Sequence, residues 1–326
     1  MKVFITGATG FIGSFLAEAL LEKGYEVRCL VRTTSNLRWI ADLDVECYYG
    51  SLFDAGSLRE GLKDVEYIYH VAGVTKGSSE TEFYNGNLET TRTLLRAVLD
   101  SDLKLKHFLH VSSLAAVGPS PTIRAIDEDH LPSPLTYYGK SKLAAEELIN
   151  EYLKEFPITI VRPPVVYGPR DTDVLEFFKT VKKGIIPQLE GKDKYASMIF
   201  VKDLVQGMIL AAESDKSRSR TYFLADPDPY SYEEFARIIL DVLGKRGIRI
   251  PIPLPLLNGI AGISEGIANL MKRKTIINRQ KVIEMEQDFW ICSPARARKE
   301  LKFESARTLQ EGVKETLNWY VRHNWL

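Results

Sequence analysis

The sequence predicts an α/β fold in which helices cover both faces of a parallel sheet, followed by a smaller, mostly helical C-terminal part. Two observations predict this fold. In the first half of the 326 residues, short apolar strand patterns alternate with helical patterns, an order that produces parallel strands joined by crossover helices. After Arg162 the alternation ends in a proline-rich stretch, and the later patterns are mainly helical.

The elements of the first half follow one another in a regular order. Strands are predicted over residues 3–6, 27–32, 45–49, 67–72, 107–112 and 158–162. Helices are predicted from Phe11 onward and over residues 57–62, 88–99 and 140–156. Ligands of parallel sheets bind outside the carboxyl ends of the strands, so the residues that follow each strand are the candidates for function.

The second half contains fewer strand patterns. One strand is predicted over residues 221–225, and helices are predicted over 203–213, from Ser231 to about Leu243, and over 308–320. Ser231 precedes Glu234 by three residues and Thr308 precedes Glu311 by three. Both pairs have the spacing of a capping box, which marks the beginning of a helix.

An unusually apolar segment, interrupted by prolines, covers residues 250–271. Three interpretations stay open for it. It can form an ordinary buried helix pair, or an apolar wall or flap over a hydrophobic ligand. It can also form a surface patch that contacts membrane lipid, helped by the basic residues Lys272, Arg273 and Lys274 that follow it.

Composition argues against several classes of function. The 43 basic and 43 acidic residues give zero net charge, which favours neither nucleic acid nor an anionic membrane as partner. Cys29, Cys47 and Cys292 have no metal-ligand spacing, so we expect thiols in a reducing, cytoplasmic compartment and no metal site. We expect no signal peptide, because the N-terminal apolar segment is predicted to form a strand and a helix with glycines between them. We expect no transmembrane segment, since no uninterrupted apolar run reaches about 18 residues.

Three glycines occupy the first predicted strand-to-helix turn. Gly7, Gly10 and Gly13 lie between the strand over 3–6 and the helix that begins near Phe11. At such a turn the backbone approaches a phosphate and the helix N-terminus offers free N–H groups. The Gly-x-x-Gly-x-x-Gly spacing therefore predicts dinucleotide binding, although it differs from the usual Gly-x-Gly-x-x-Gly. The alternative is a glycine-rich turn that binds no ligand.

These patterns together specify a Rossmann-type, doubly wound parallel sheet. We expect residues 1–167 with 200–226 to form a dinucleotide-binding domain. We expect residues 168–199 with 227–326 to form a smaller substrate domain, mostly helical.

A tyrosine and a lysine four residues apart form the second candidate site. Tyr138 and Lys142 lie on one face of the helix predicted there. A phenol has a pKa near 10, and a nearby ammonium lowers that pKa toward the range useful for proton transfer. Ser112 and Ser113 end the preceding strand, where either one can bond a substrate oxygen. The alternatives are a solvated helix start and serines that only cap the strand end.

The ordered motifs resemble the extended branch of the short-chain dehydrogenase/reductase superfamily. That branch includes nucleotide-sugar epimerases and dehydratases, dihydroflavonol reductases and 3β-hydroxysteroid dehydrogenases. The similarity extends over nearly the whole chain. The matching segments are TGATGFIG at 6–13, SSLAAVG at 112–118, YGKSK at 138–142, RPPVVYGP at 162–169, FVKDL at 200–204, SPARARKELKF at 293–303 and TLQEGVKET at 308–316.

The resemblance implies roles for individual residues. Tyr138 would be the acid/base, Lys142 would lower its pKa and bond the nicotinamide ribose, and Ser113 rather than Ser112 would orient the substrate oxygen. Asn87 would support the cofactor region. The remaining cofactor-binding candidates are Gly7, Thr9, Gly10, Phe11, Ile12, Gly13, Arg32, Ser51, Leu52, Ala72, Gly73, Pro163 and Pro164.

Three positions depart from the family pattern. Ser51 stands where the family often has an aspartate near the adenine, Gly73 replaces the last alanine of a His-x-Ala-Ala segment, and Lys202 stands where a histidine is common. None of these positions belongs to the proton-transfer pair, so the reaction class is unaffected.

The residue after the second strand indicates which dinucleotide binds. An acidic residue there selects NAD, whereas an arginine accommodates the 2′-phosphate of NADP. Arg32 occupies this position, followed by Thr33, Thr34 and Ser35, and no acidic residue occurs between Val27 and Asn36. The sequence therefore favours NADP(H), with NAD(H) as the alternative.

The substrate is the least determined part of the prediction. The apolar segment favours a small-molecule alcohol or ketone that is bulky and partly apolar. Arg170, Lys179, Lys182 and Lys183 would instead suit the pyrophosphate of a nucleotide sugar, and a non-catalytic dinucleotide sensor is a further alternative. By analogy with relatives, the helices that begin near Leu88 and Lys140 can pair in a homodimer. Peripheral membrane contact stays open.

Overall fold

The computed structural model of the chain describes residues 1–189, 193–270 and 279–326. The strands in these residues are β1 (Lys2–Thr6), β2 (Glu26–Val31), β3 (Glu46–Tyr49), β4 (Tyr67–His70), β5 (His107–Val111), β6 (Ile158–Arg162), β7 (Val165–Tyr167), β8 (Ile185–Leu189), β9 (Tyr195–Ala196), β10 (Met198–Phe200), β11 (Arg220–Phe223), β12 (Tyr230–Ser231), β13 (Ile248–Ile252) and β14 (Phe289–Trp290).

The helices are α1 (Phe11–Glu22), α2 (Ala55–Gly61), α3 (Glu80–Tyr84), α4 (Thr90–Leu99), α5 (Tyr137–Asn150), α6 (Leu175–Lys182), α7 (Val201–Glu213), α8 (Tyr232–Val242), α9 (Leu254–Leu270), α10 (Arg279–Glu286), α11 (Ala295–Leu301) and α12 (Leu309–Arg322). A single π-helical turn, Asn85–Glu89, leads from α3 into α4. The helix predicted over 140–156 begins three residues earlier and ends at Asn150.

The main sheet confirms the predicted fold class. Within the described ranges it contains seven strands in the order β11-β6-β5-β4-β1-β2-β3, and every neighbouring pair is parallel. The chain runs outward from β1 to β3 and then returns to β4 on the other side of β1. This reversal opens a crevice at the carboxyl ends of β1 and β4, where doubly wound sheets bind their ligands. In the register, Thr6 of β1 lies opposite His70 of β4.

Helices pack on both faces of this sheet because each face of the buried strands is apolar. On one face, α1 and α7 contribute Leu16 and Met208 to a core that includes Ile5. On the other face, Leu94 of α4 and Ile149 of α5 pack in a second core.

A separate apolar core supports the C-terminal part. It is formed by α6, α8 and α12, with Phe178, Phe235 and Tyr320 among its fully buried side chains. Ser231 caps α8 and Thr308 with Glu311 forms a capping box on α12, as their sequence spacing predicted.

The expectation of a buried helix pair at residues 250–271 is wrong for the part of this segment that the structure describes. The segment forms the end of β13 and the single helix α9, and Leu256, Ile260 and Ile263 are 56%, 43% and 66% exposed. Apolar character gave no indication of which side of the helix would be covered. Met271 and the three basic residues after it, 272–274, lie outside the described residues.

None of the helices in the described residues has both the length and the apolarity to cross a membrane. Cys29 and Cys292 are buried, Cys47 is half-buried, and all three are free thiols.

Candidate active site

The glycine turn forms a cradle at the switch point of the sheet. Gly7 has φ +80°, and a Cβ on Gly13 would lie 2.2 Å from the Gly7 carbonyl oxygen, so a side chain at either position is excluded. Gly10 begins α1 without any side-chain cap, which leaves N–H groups of the first turn available. The cradle therefore fits the pyrophosphate of a dinucleotide. Thr9 lies in the same turn, and Phe11 and Ile12 begin α1.

The loop after β4 closes directly against this cradle. A Cβ on Gly7 would lie 2.7 Å from the Ala72 nitrogen, and that nitrogen donates to Thr6 Oγ1 at 3.2 Å. A Cβ on Gly73 would lie 2.9 Å from Asn87 Oδ1 and 3.0 Å from Lys142 Nζ. The glycine at this departure from the family pattern thus permits a close approach between the loop and the lysine.

Asn87 fastens the same loop to the helix that carries the candidate catalytic residues. Its side chain accepts from Val74 N at 2.7 Å and donates to the Val74 carbonyl at 3.1 Å and to Ser141 Oγ at 2.9 Å. Asn87 lies in the π-helical turn. The loop after β4 and helix α5 are consequently held as one unit around the crevice.

Helix α5 presents Tyr138 and Lys142 to the crevice. Thr136 caps the helix by accepting from Gly139 N at 3.2 Å. A Cβ on Gly139 would lie 2.3 Å from the Ala115 carbonyl, so a glycine is required for α5 to pack against the turn Leu114–Ala116. The same turn is held from the other side, because Leu114 N donates to the Pro163 carbonyl at 2.9 Å.

The two candidate serines have different surroundings. Ser113 Oγ caps the turn by accepting from Ala115 N at 3.1 Å, and the Ser113 hydroxyl is near enough to Tyr138 to lower its pKa. Ser112 is buried, and its hydroxyl donates to the Glu146 carboxylate. Ser113 is therefore the serine that the fold places beside Tyr138.

The protonation equilibria of the pair are set mainly by burial. Burial raises the pKa of Tyr138 to about 12, the Ser113 hydroxyl and Lys281 act to lower it, and Glu284 and Asp173 raise it further. The expected net lowering of the Tyr138 pKa is therefore wrong for the protein alone, because desolvation of the phenolate outweighs the nearby positive charge.

Lys142 is hydrogen-bonded to the main sheet. Its Nζ donates to the Val111 carbonyl at 2.9 Å. Burial lowers the pKa of Lys142 to about 8, and Glu146, one helical turn later, opposes that shift. Lys142 is thus a cation poised near neutral pH at the floor of the crevice.

A buried ion pair lies near Lys142, and no sequence pattern had been used to predict it. Arg162 Nε lies 3.0 and 3.2 Å from the two Glu146 oxygens, and Nη2 lies 2.5 Å from Oε2. Both side chains are less than one-tenth exposed. The spacing of Lys142 and Glu146, four residues apart on a helix, was the signal that could have revealed this carboxylate.

Charged residues that influence Tyr138 come from distant segments that no sequence pattern indicated. Tyr137 N donates to Gln280 Oε1 at 2.8 Å, which joins α10 to the beginning of α5. Lys281 and Glu284 on α10 both influence the pKa of Tyr138. Asp173, just before α6, also influences the pKa of Tyr138 and forms an ion pair with Lys76.

Arg32 directly follows β2. It is exposed, and none of the ion pairs between described residues includes it. A short turn closes there, because Ser35 N donates to the Arg32 carbonyl at 2.9 Å. Ser51 Oγ accepts from Phe53 N at 3.1 Å, so its hydroxyl stabilises the local turn. The next residue, Leu52, is half-buried.

The basic residues considered for a sugar-nucleotide pyrophosphate have other surroundings. Arg170 donates to Glu18 at 2.5 Å and to Ser14 at 3.0 Å. Lys179, Lys182 and Lys183 line a surface cleft of about 500 Å³ that also includes the C-terminal Leu326. The cleft does not include Ser113, Tyr138 or Lys142.

A glycine cradle at the switch point of a doubly wound sheet, beside a serine, tyrosine and lysine, defines a nicotinamide-dinucleotide-dependent enzyme. The sequence model of the NAD dependent epimerase/dehydratase family matches residues 3–225, and the chain belongs to this family. It is an extended short-chain dehydrogenase/reductase enzyme, as the motifs predicted.

Two relatives of known activity match almost the whole chain. A 4-hydroxy-2-methyl-3-oxo-4-farnesyl-3,4-dihydroquinoline-1-oxide ketoreductase from Stigmatella aurantiaca is 27% identical over 96% of this chain and 95% of its own length. A ceramide reductase from Caulobacter vibrioides is 28% identical over 99% of this chain and 96% of its own. The solved UDP-glucose 4-epimerase of Thermotoga maritima shares the fold, with a TM-score of 0.81 and 19% identity over 99% of this chain and 100% of its own.

Proposed function

We propose that the protein is an NADP(H)-dependent oxidoreductase that interconverts a bulky, partly apolar secondary alcohol and its ketone. The observation that carries the proposal is the grouping of Ser113, Tyr138 and Lys142 at the carboxyl end of β5 and the start of α5, beside the glycine cradle. A tyrosine that can exchange a proton in a dinucleotide crevice suits carbonyl reduction.

Each residue has one task in this mechanism. When bound, the cofactor supplies or accepts the hydride. Ser113 orients the substrate oxygen with its hydroxyl, and Tyr138 gives that oxygen a proton in reduction or takes it in oxidation. Lys142 contributes positive charge that favours the phenolate form of Tyr138. The proton that Tyr138 loses in reduction is replaced from solvent.

The apolar substrate class is supported by two independent features. The two curated relatives act, by their names, on a farnesylated quinoline oxide and on ceramide, both of which carry long apolar chains. In this chain the apolar helix α9 packs on α10, and α10 joins the start of α5 through Gln280. A nucleotide-sugar epimerase stays the alternative from the fold.

NADP(H) is supported by the exposed guanidinium of Arg32 at the end of β2. A free guanidinium bonds a 2′-phosphate in a bidentate manner, whereas the NAD ribose needs an acceptor there. We expect NADPH to bind more tightly than NADH, and Arg32→Ala to weaken NADPH binding about tenfold or more while NADH binding is unchanged. Fluorescence titration of both cofactors measures this.

The matched control is Arg96→Ala, which removes an exposed arginine on α4 and should change neither affinity. Equal binding of NADPH and NADH to the native protein, or an unchanged preference in Arg32→Ala, would contradict the cofactor assignment.

The reaction class is tested by a substrate screen. We expect NADPH-dependent reduction of ketones with long apolar chains and no turnover of UDP-sugars. NAD that stays bound through purification, together with interconversion of UDP-sugars, would instead identify the epimerase alternative.

A further inference from the structure

One surface of the molecule is apolar and uncovered. It consists of Ile248 and Ile250 on β13 and Leu256, Ile260 and Ile263 on α9, and we call it the α9 surface. Ile248, Leu256 and Ile263 are each more than half exposed. The sequence has no charged residue from Ile250 to Ser264. Exposed apolar area of this continuity marks an interaction site.

The helix has a covered and an uncovered side. Leu257 and Ala261 are buried against Val282 of α10, so α9 is fixed to the protein along that stripe. Leu256, Ile260 and Ile263 recur at spacings of four and three and therefore share one face, next to the covered stripe. Among the described residues, side-chain packing therefore buries one face of α9 and leaves another face exposed to solvent.

Basic residues border the α9 surface. Lys245, Arg246 and Arg249 precede the apolar run, and no acidic residue occurs between residues 245 and 264, in a chain whose net charge is zero. Arg249 pairs with Glu233, while Lys245 and Arg246 are exposed.

More lysines join this border through the β8–β13 pairing. Ile248 N donates to the Gly184 carbonyl at 2.9 Å, and Lys245 Nζ donates to the Lys182 carbonyl at 2.9 Å. Lys182, Lys183 and Lys245 consequently line one cleft. The cleft also contains Glu176, which pairs with Lys179, so its remaining lysines make the border positive where the exposed apolar run begins.

We propose that the α9 surface docks on the surface of an anionic lipid bilayer. Apolar side chains would enter the boundary between headgroups and acyl chains while the lysines contact the anionic headgroups. A second copy fits less well, because a twofold axis through this face would bring its positive border against itself. The occupant that the charge favours is therefore lipid.

Docking would also bring the active site to the membrane. α9 packs on α10, and α10 reaches the start of the helix that carries Tyr138 through Gln280. A substrate dissolved in the bilayer could then pass to Tyr138 along this wall. This step, unlike docking itself, rests on the proposed action on an apolar alcohol or ketone.

The test is co-sedimentation with vesicles of phosphatidylcholine plus phosphatidylglycerol and with vesicles of phosphatidylcholine alone. We expect the native protein to bind the anionic vesicles more tightly and to lose part of this binding at high salt. Ile260→Ser/Ile263→Ser should weaken binding about tenfold or more. Leu131→Ser/Val321→Ser is the control, since Leu131 and Val321 are also exposed apolar residues and lie elsewhere; it should bind as the native protein does.

Two results would overturn the proposal. One is native protein that stays in the supernatant with both kinds of vesicle, or that binds equally in the Ile260→Ser/Ile263→Ser variant. The other is a dimer in sedimentation equilibrium that this variant converts to a monomer, which would make a second copy the occupant. Vesicle binding is read without turnover, so failure of the proposed reaction is distinguishable from failure of docking.

Discussion

The two halves of the candidate active site are built in different ways. The cofactor half consists of backbone brought together at strand ends, where Gly7 and Gly13 allow contacts that any side chain would block. The substrate half consists of charged side chains from segments far apart in the chain, Asp173, Lys281 and Glu284. Tyr138 lies at the boundary between them.

The difference shows which half sets which property. The rigid cofactor half fixes position, since it contains close backbone contacts between buried strands. The charges of the substrate half, together with burial, determine how readily Tyr138 gives up its proton. Substitutions in the first half should therefore affect binding and stability, and substitutions in the second should affect the pH dependence of turnover.

The largest effect is expected at the boundary itself. Tyr138→Phe removes the proton donor and should lower kcat about 10³-fold, while the dinucleotide Kd stays near the native value. Steady-state kinetics and cofactor titration measure the two quantities. Tyr137→Phe, which alters the neighbouring ring at the start of α5, is the control and should keep its activity. Unchanged turnover in Tyr138→Phe would show that another group exchanges the proton.

The cofactor half is tested by Gly13→Ala. The added methyl group would lie 2.2 Å from the Gly7 carbonyl, so α1 must shift away from β1. We expect a loss of about 3 kcal/mol in the free energy of unfolding and much weaker dinucleotide binding, measured by urea denaturation and titration. Gly259→Ala is the control in α9, where a Cβ meets nothing within 4 Å, and should be neutral or stabilising. Native-like cofactor affinity in Gly13→Ala would contradict the cradle.

The sequence predicted the cofactor half better because its signals are local. Gly7 to Gly13 and Tyr138 to Lys142 are contained in short segments whose spacing alone implies a turn or a helix face. It did not predict the substrate half, since Glu284 meets the start of α5 only through tertiary packing across about half of the chain. Nor did apolar composition distinguish the buried Leu257 from the exposed Leu256, because that depends on where α10 lies.

Glu146 should affect both the pH dependence of turnover and the stability of the fold. Its carboxylate opposes the burial that lowers the pKa of Lys142 to about 8. Glu146→Gln should therefore lower that pKa further, so Lys142 loses its proton at lower pH and the alkaline limb of the kcat profile moves to lower pH. Arg162 loses its buried counter-ion, which should cost about 3 kcal/mol of stability.

The pH-rate profile and urea denaturation of Glu146→Gln measure these two effects. Glu147→Gln, at an exposed position on the same helix, should change neither. A variant that is destabilised but has the native pH profile would leave the ion pair a purely structural role.

The smallest effect is expected from Glu284, on the substrate side. Its negative charge raises the pKa of Tyr138, so Glu284→Gln should lower that pKa. In alcohol oxidation, where Tyr138 acts as the base, the acid limb of the kcat profile should then move to lower pH and the rate at neutral pH should rise roughly twofold. Glu286→Gln, an exposed carboxylate on the same helix α10, should leave the profile unchanged. If both variants shift the profile equally, the general charge of α10 controls Tyr138; if neither does, the substrate half acts by shape alone and the contrast between the two halves fails.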